Sequence, residues 1–154
     1  MAVTFATPYE KQGRVWFLEN QTITNQTENT KVHARALAVP GWAALATFYL
    51  NVTVMTGTSP LLDFKLSYVD PIDLTSTTLL GDWAGITQKT GTAALVVVEV
   101  GPGMLADATG SATAGCRYSV NAILPAVLLY TITTDGTTDD EDYAFTLSVQ
   151  WSHQ

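Results

Sequence analysis

The densest set of ligand-type side chains in this sequence is the run Asp135-Gly136-Thr137-Thr138-Asp139-Asp140-Glu141-Asp142. Several carboxylates on one hairpin loop offer the hard oxygen ligands that calcium takes. Their spacing departs from the EF-hand pattern, and acidic hairpin tips are commonly just solvated. Such a tip also repels copies of itself at a sheet edge. Nucleophilic chemistry has little to draw on. The histidines are His33 and His153, the second next to the last residue of the sequence, where exact positioning is hard to maintain. Cys116 would meet His33 only through tertiary folding, and no nucleophile elbow is present. Acid–base chemistry of the glycosidase type needs two carboxyls facing each other across a cleft. Asp70, Asp73, Asp82 and Asp107 instead lie beside turn residues. Gly101-Pro102-Gly103 is followed by no GxxxxGK pattern, so it marks a turn rather than a phosphate loop. The expectation is a protein that is not an enzyme, with no catalytic set, no cofactor and no assigned metal ligands.

Composition points the same way. The 154 residues carry a formal charge of −7, 47% hydrophobic residues and 14% charged ones. Mean hydropathy is +0.17 and the pI about 4.5. That balance belongs to a folded chain rather than a disordered one, and its length suits a single domain with a real core. The basic residues Lys11, Arg14, Lys31, Arg35, Lys65, Lys89 and Arg117 are scattered. They form no stripe for phosphate neutralisation, which excludes direct nucleic-acid binding as an expectation and disfavours anionic membranes. One cysteine allows no intrachain disulfide, and Cys116 reads as a small buried hydrophobe. No apolar h-region or spanning stretch is visible, so a soluble protein made in a cytoplasm is expected. The sequons at Asn20, Asn25 and Asn51 read as chance matches in a chain rich in Asn and Thr.

The elements that would position any site are strands. Phe48, Leu50, Val52 and Val54 alternate with Thr47, Tyr49, Asn51 and Thr53; after the turn Thr56-Gly57-Thr58-Ser59-Pro60, Leu62, Phe64, Leu66 and Tyr68 alternate with Asp63, Lys65 and Ser67. Period two on both sides of a turn predicts an antiparallel hairpin. Its register would pair Val54 with Leu62, Val52 with Phe64, Leu50 with Leu66 and Phe48 with Tyr68. The outward strip Tyr49, Asn51, Thr53, Asp63 and Lys65 would be an ordinary wet face or, less readily, a sugar platform.

Other strands are expected at 14–18, 31–39, 77–80, 83–88, 117–124 and 126–133. In the strand at 31–39, Val32, Ala34, Ala36 and Ala38 would face inward, leaving room for a large side chain such as Trp42. The polar tract 19–30 reads as a loop or an edge segment, and the small-residue run 104–115 as a loop, with a short helix at 104–108 as the alternative. The apolar run 92–100 suits a strand covered on both faces, by the opposite sheet and by a neighbouring subunit. Pro125 breaks 117–133 and permits a bent strand that changes sheets. Tyr143, Phe145, Leu147, Val149 and Trp151 alternate into a last strand, expected to form a second hairpin with 126–133. The sum is an all-β, two-sheet antiparallel sandwich of about eight strands, jelly-roll or immunoglobulin-like, over residues 14–154. Residues 1–13 read as an arm whose aromatics are covered either by its own domain or by a partner.

The segments FYLNVTVMTGTSPLLDFKLSYVD, CRYSV and YAFTLSVQW resemble small β-sandwich virion proteins of tailed bacteriophages, among them capsid decoration (head auxiliary) proteins. The likeness is carried by residues 45–70 and 116–151. Val69-Asp70-Pro71-Ile72-Asp73 departs from it, standing where a Gly-rich turn is often seen. The resemblance implies a structural protein on the capsid surface of a virion, a homotrimer that binds the major capsid protein lattice and stabilises it. Under that reading Phe5, Tyr9, Arg14, Trp16 and Phe17 are the expected protein-interaction residues. The alternative is a carbohydrate- or receptor-binding module, or another structural module, of the phage tail or neck.

Overall fold

In the computed structural model the described residues are 9–10, 15–26, 30–58, 60–70, 72, 77–87, 94–103, 107–111, 115–135 and 140–153. They form strands β1 (Tyr9–Glu10), β2 (Val15–Gln26), β3 (Lys31–Ala38), β4 (Leu45–Thr56), β5 (Leu61–Val69), β6 (Thr77–Thr87), β7 (Ala94–Gly101), β8 (Asp107–Ser111), β9 (Gly115–Asn121), β10 (Val127–Asp135) and β11 (Glu141–Ser152). One sheet has the order β1-β2-β11-β4-β7-β9-β8 and the other β3-β10-β5-β6. The described strands thus form the all-β, two-sheet sandwich that the alternation pattern predicts, with more strands than the eight or so expected. All pairs are antiparallel except β7 with β9.

The two expected hairpins do not exist as hairpins. β4 pairs with β11 and β7, whereas β5 pairs with β10 and β6 in the opposite sheet. β10 likewise pairs with β3 and β5, not with β11. Each turn is an arch that carries the chain from one sheet to the other. Phe48, Leu50 and Val52 therefore meet Leu62, Phe64 and Leu66 across the core rather than along a ladder, all six buried. The Phe48 and Phe64 rings lie 6.2 Å apart. Alternation reports which side chains face inward; it is the same for a hairpin and for an arch, and this is why the pairing was misread.

Bulges adjust which residues face in. Opposite β11, Ala144 aligns with Val54 but Phe145 with Val52, leaving Thr53 as the extra residue. The Thr53 hydroxyl donates to the Ala144 carbonyl at 3.1 Å. Beyond this bulge Met55 enters the core and Val54 turns outward, contrary to the simple alternation. Of the polar tract, residues 19–26 are strand, in β2 next to the edge of the larger sheet, and 107–111 is an edge strand rather than loop or helix. The two short strands expected at 77–80 and 83–88 are one strand, β6, with register shifts against β5. β9 and β10 do change sheets across Pro125, as its position predicts.

β3 faces the other way from the expectation. Leu37 is in the main core and His33 stands edge-on to Phe145 at 5.6 Å, while Ala36 joins Val69, Val127 and Leu129 in a second, smaller cluster. Leu128, Tyr130 and Ile132 alternate with Val127 and Leu129, so this small cluster lies on the opposite face of the sheet from the main core. Trp42 packs against His153 with ring centroids 5.0 Å apart.

Gly57 sits in the β4–β5 arch with φ +119°, and a Cβ there would lie 2.8 Å from the Glu141 Cα. Its neighbour Thr58 donates its hydroxyl to Asp140 Oδ2 at 2.8 Å. The two arches thus touch backbone to backbone, and glycine is needed for the close approach as well as for the dihedral. Gly57→Ala is expected to cost about 1–3 kcal/mol or more, read as a lower urea midpoint. Met55→Ala should cost about 2–5 kcal/mol, while Val54→Thr stays within about 0.5 kcal/mol; the reverse order would restore the unbulged register.

Candidate functional site

Among the described residues two carboxylates are buried, Glu19 and Glu141, and β2 carries the first of them. Leu147 of β11 aligns with Glu19 and Ser148 with Phe17, so Leu18 is an extra residue in β2. With Trp16 packed on the core and Leu18 buried, an unbroken strand would point residue 19 to solvent. The bulge turns it inward, and Glu19 is buried. Once inside, the carboxylate is held from both sheets. Tyr130 of β10 donates its hydroxyl to Glu19 Oε1 at 2.7 Å, and Arg35 Nε of β3 lies 3.2 Å from the same oxygen. Gln21 Nε2, on β2 itself, donates to Oε2 at 2.8 Å.

A second latch lies further along β2. Gln26 Nε2 donates to the Thr134 carbonyl at 3.0 Å, and the Thr134 hydroxyl donates to Gln26 Oε1 at 2.7 Å. A third joins β11 to β5, where the Leu61 amide donates to the Tyr143 hydroxyl oxygen at 3.1 Å. Each latch gives buried polar atoms partners in the opposite sheet, which fixes one sheet against the other in position as well as distance.

Burial and the hydrogen bond to Glu19 push the Tyr130 hydroxyl well above the usual phenol range. Burial also lowers His33 below the ordinary imidazole value, partly offset by the Glu19 charge, while Lys31 and Arg35 add to the lowering. Its Nε2 is buried without a hydrogen-bond partner. Tyr130 and Glu19 thus serve as a neutral donor and a bonded acceptor, an arrangement that holds sheets together.

The other chemistry-bearing residues are dispersed. His33 is on β3 and His153 beyond β11, and the backbone of Cys116 lies on β9 opposite Val96. Among the described residues no three His, Cys, Asp or Glu side chains come together as a metal site. Within the acidic loop, residues 136–139 lie outside the described residues; both Asp140 carboxylate oxygens accept from Thr58, and Glu141 is buried. The polar strip is divided. Tyr49, Asn51 and Thr53 are on one sheet, with Tyr49 donating to Gln150 Oε1 at 3.1 Å, whereas Asp63 and Lys65 are on the other.

The interaction residues read from the sequence also separate. Tyr9 pairs with Phe17 and Glu10 with Trp16, so β1 lies against its own domain at the edge of the larger sheet. Trp16 stands edge-on to Trp151 at 5.6 Å, packed on the core, while Phe17 is half-buried. Phe5 and Arg14 lie outside the described residues. On β7 the inner Val96, Val98 and Val100 are covered by the sandwich, and Leu95 is 46% exposed. Sequence reasoning missed Glu19, Gln26, Tyr130 and Thr134 as a set. The available signal was an acidic residue directly after the apolar run Val15-Trp16-Phe17-Leu18, which is equally a strand end.

Fold and interior together define a two-sheet β-sandwich protein whose buried polar groups cross-link its sheets. No family model, no curated protein and no solved structure matches the chain.

Tyr130→Phe removes the hydroxyl but keeps the ring, and is expected to cost about 1–3 kcal/mol. Arg35→Ala, whose side chain is 41% exposed, should cost no more than about 1 kcal/mol. Urea denaturation at pH 7.5 reads both. For His33 the unfolded chain binds a proton more readily than the folded one. Its contribution is therefore fully present above pH about 6.5 and is lost as pH falls toward the lowered folded value. His33→Gln should flatten that part of the stability–pH curve.

Proposed function

We propose that this protein is a structural virion component of a tailed bacteriophage that binds the outside of the assembled capsid and stabilises it. The observation that carries this reading is the use of the interior. Glu19, Gln26, Tyr130, Thr134 and Tyr143 are all engaged in bonds between or along the sheets. A body cross-linked in this way is a stiff element whose work lies on its outer surface. The resemblance of residues 45–70 and 116–151 to small phage β-sandwich proteins supplies the virion context. The formal charge of −7 supports the same role, since it keeps free subunits apart and soluble before they meet the shell.

Stabilisation would follow from mass action. A subunit that binds the mature shell more tightly than its precursor, or than dissociated capsid protein, lowers the free energy of the mature form by its differential affinity. Trimeric assembly, suggested by the resemblance, would multiply each contact through effective concentration. The residues 1–13 belong to this proposal as the segment that joins neighbouring subunits or the shell, with Tyr9 and Glu10 anchored on β2.

The test is addition of the purified protein to emptied, undecorated capsids followed by co-sedimentation. Saturable binding, with a higher temperature of capsid disruption, is the expected outcome. Binding to glycans on an array with no association to capsids would favour the tail-type receptor-binding module instead. Removal of residues 1–13 should weaken capsid binding or trimer formation while leaving the far-UV signal of the sandwich intact; unchanged binding and assembly would exclude the arm.

A further inference from the structure

Strand β3 forms an edge of the smaller sheet with little apolar anchorage. Its ladder runs along β10, from Ala38 opposite Val127 to Lys31 opposite Thr134. Of its side chains Ala36 and Leu37 are fully buried, whereas β5 buries Leu62, Phe64, Leu66 and Val69. A strand with one neighbour and few buried apolar contacts is among the first to open while the rest stays folded. His33 stands near its middle, opposite Ile132 of β10 and edge-on to Phe145 of the facing sheet at 5.6 Å. Its Nε2 is shut away from water with no hydrogen-bond partner.

The charged and titratable groups around this ring are engaged with one another. Glu19 of β2 accepts from Tyr130 of β10 and from Gln21, and it pairs with Arg35 of β3. Tyr143 of β11, two residues from Phe145, accepts from the Leu61 amide. Lys31 and Arg35 flank His33 along β3 and add positive charge to its surroundings.

We propose that β3 is an acid-released strap, a strand that leaves the smaller sheet when His33 takes up a proton while the larger sheet and the β10–β5–β6 ladder persist. An imidazolium donates from both ring nitrogens, so in place Nε2 would be a charged donor with no acceptor. Swinging β3 outward hands that donor to water. Burial outweighs the attraction of Glu19, and Lys31 and Arg35 act with it, so the exposed ring binds a proton more readily than the packed one. The strap is therefore closed above pH about 6.5, and its opening constant rises below that value by at most about tenfold per pH unit. Release separates Arg35 from Glu19 and bares the edge of β10, a row of backbone donors and acceptors open to another strand.

Native-state hydrogen exchange on the whole protein at pH 7.5 and pH 5.0, corrected for the intrinsic pH dependence of exchange, tests this in wild type, His33→Gln and His153→Gln. The β3 amides should be less protected than those of β4 and β11 at both pH values. At the lower pH their protection should fall several-fold, to a ceiling of about thirtyfold. The fall should persist in His153→Gln and vanish in His33→Gln. Equal protection of β3, β4 and β11 at pH 5.0 would overturn the strap, since β3 would then leave only with global unfolding. So would β3 protection that is the same at both pH values. A fall that survives His33→Gln, or is lost in His153→Gln, would assign the response to other groups and overturn it as well. Should His33→Gln fail to fold, an NMR titration of the His33 ring in wild type takes its place. A midpoint at or above about 6.5 would then sink the proposal.

Discussion

A single carboxylate turned into the core governs much of this structure. Glu19 arrives there because Leu18 is one residue too many for its partner strand, and it stays because Tyr130 and Arg35 reach it from the facing sheet. A buried carboxylate without donors would be strongly unfavourable, so the position of β2 is tied to the positions of β3 and β10. Gln26 and Thr134 repeat the constraint toward the other end of the same strand. Apolar packing alone tolerates small slides of one sheet over the other. Directional bonds across the core do not, and they are what give this sandwich one register between its sheets.

Much of the fold could be read from residue order, but by a rule with a blind spot. Period-two alternation identified Phe48, Leu50, Val52, Leu62, Phe64, Leu66, Tyr143, Phe145, Leu147, Val149 and Trp151 as facing inward, and all are buried. It could not say whether consecutive strands pair side by side or face each other, because both arrangements bury the same residues. The bulges were hidden for a related reason. Nothing in Val52-Thr53-Val54-Met55 distinguishes a strand that keeps its phase from one that skips a residue at Thr53. Polar composition left 19–26 open between loop and edge segment, because Glu19, Gln21 and Gln26 have partners that only the fold supplies. Pro125 was legible because its effect is local: a residue without an amide proton cannot sit inside a ladder.

The exterior is divided between the sheet faces and the two ends. On the face of the larger sheet, Arg117 pairs with Glu99 across β9 and β7, Tyr49 with Gln150 across β4 and β11. These cross-strand pairs satisfy one another and leave the face mixed in character, with Leu95 standing among them. Among the described residues, the exposed apolar side chains Trp42, Ile72 and Ile123 lie at one end, and Val32, Val54 and Leu95 lie toward the other.

The place of β11 in the larger sheet has a consequence for how the protein comes into being. It lies between β2 and β4, the earliest long strands of that sheet, and no ladder joins those two without it. On a ribosome, β2 and β4 would be synthesised long before residues 141–152, with their inner faces waiting for a centre strand. The sandwich can close only when residues 141–152 are available, so its folding should be cooperative and slow for its size. Until then the nascent strands have open edges and apolar faces, the form in which a β-rich chain most needs protection from other copies of itself.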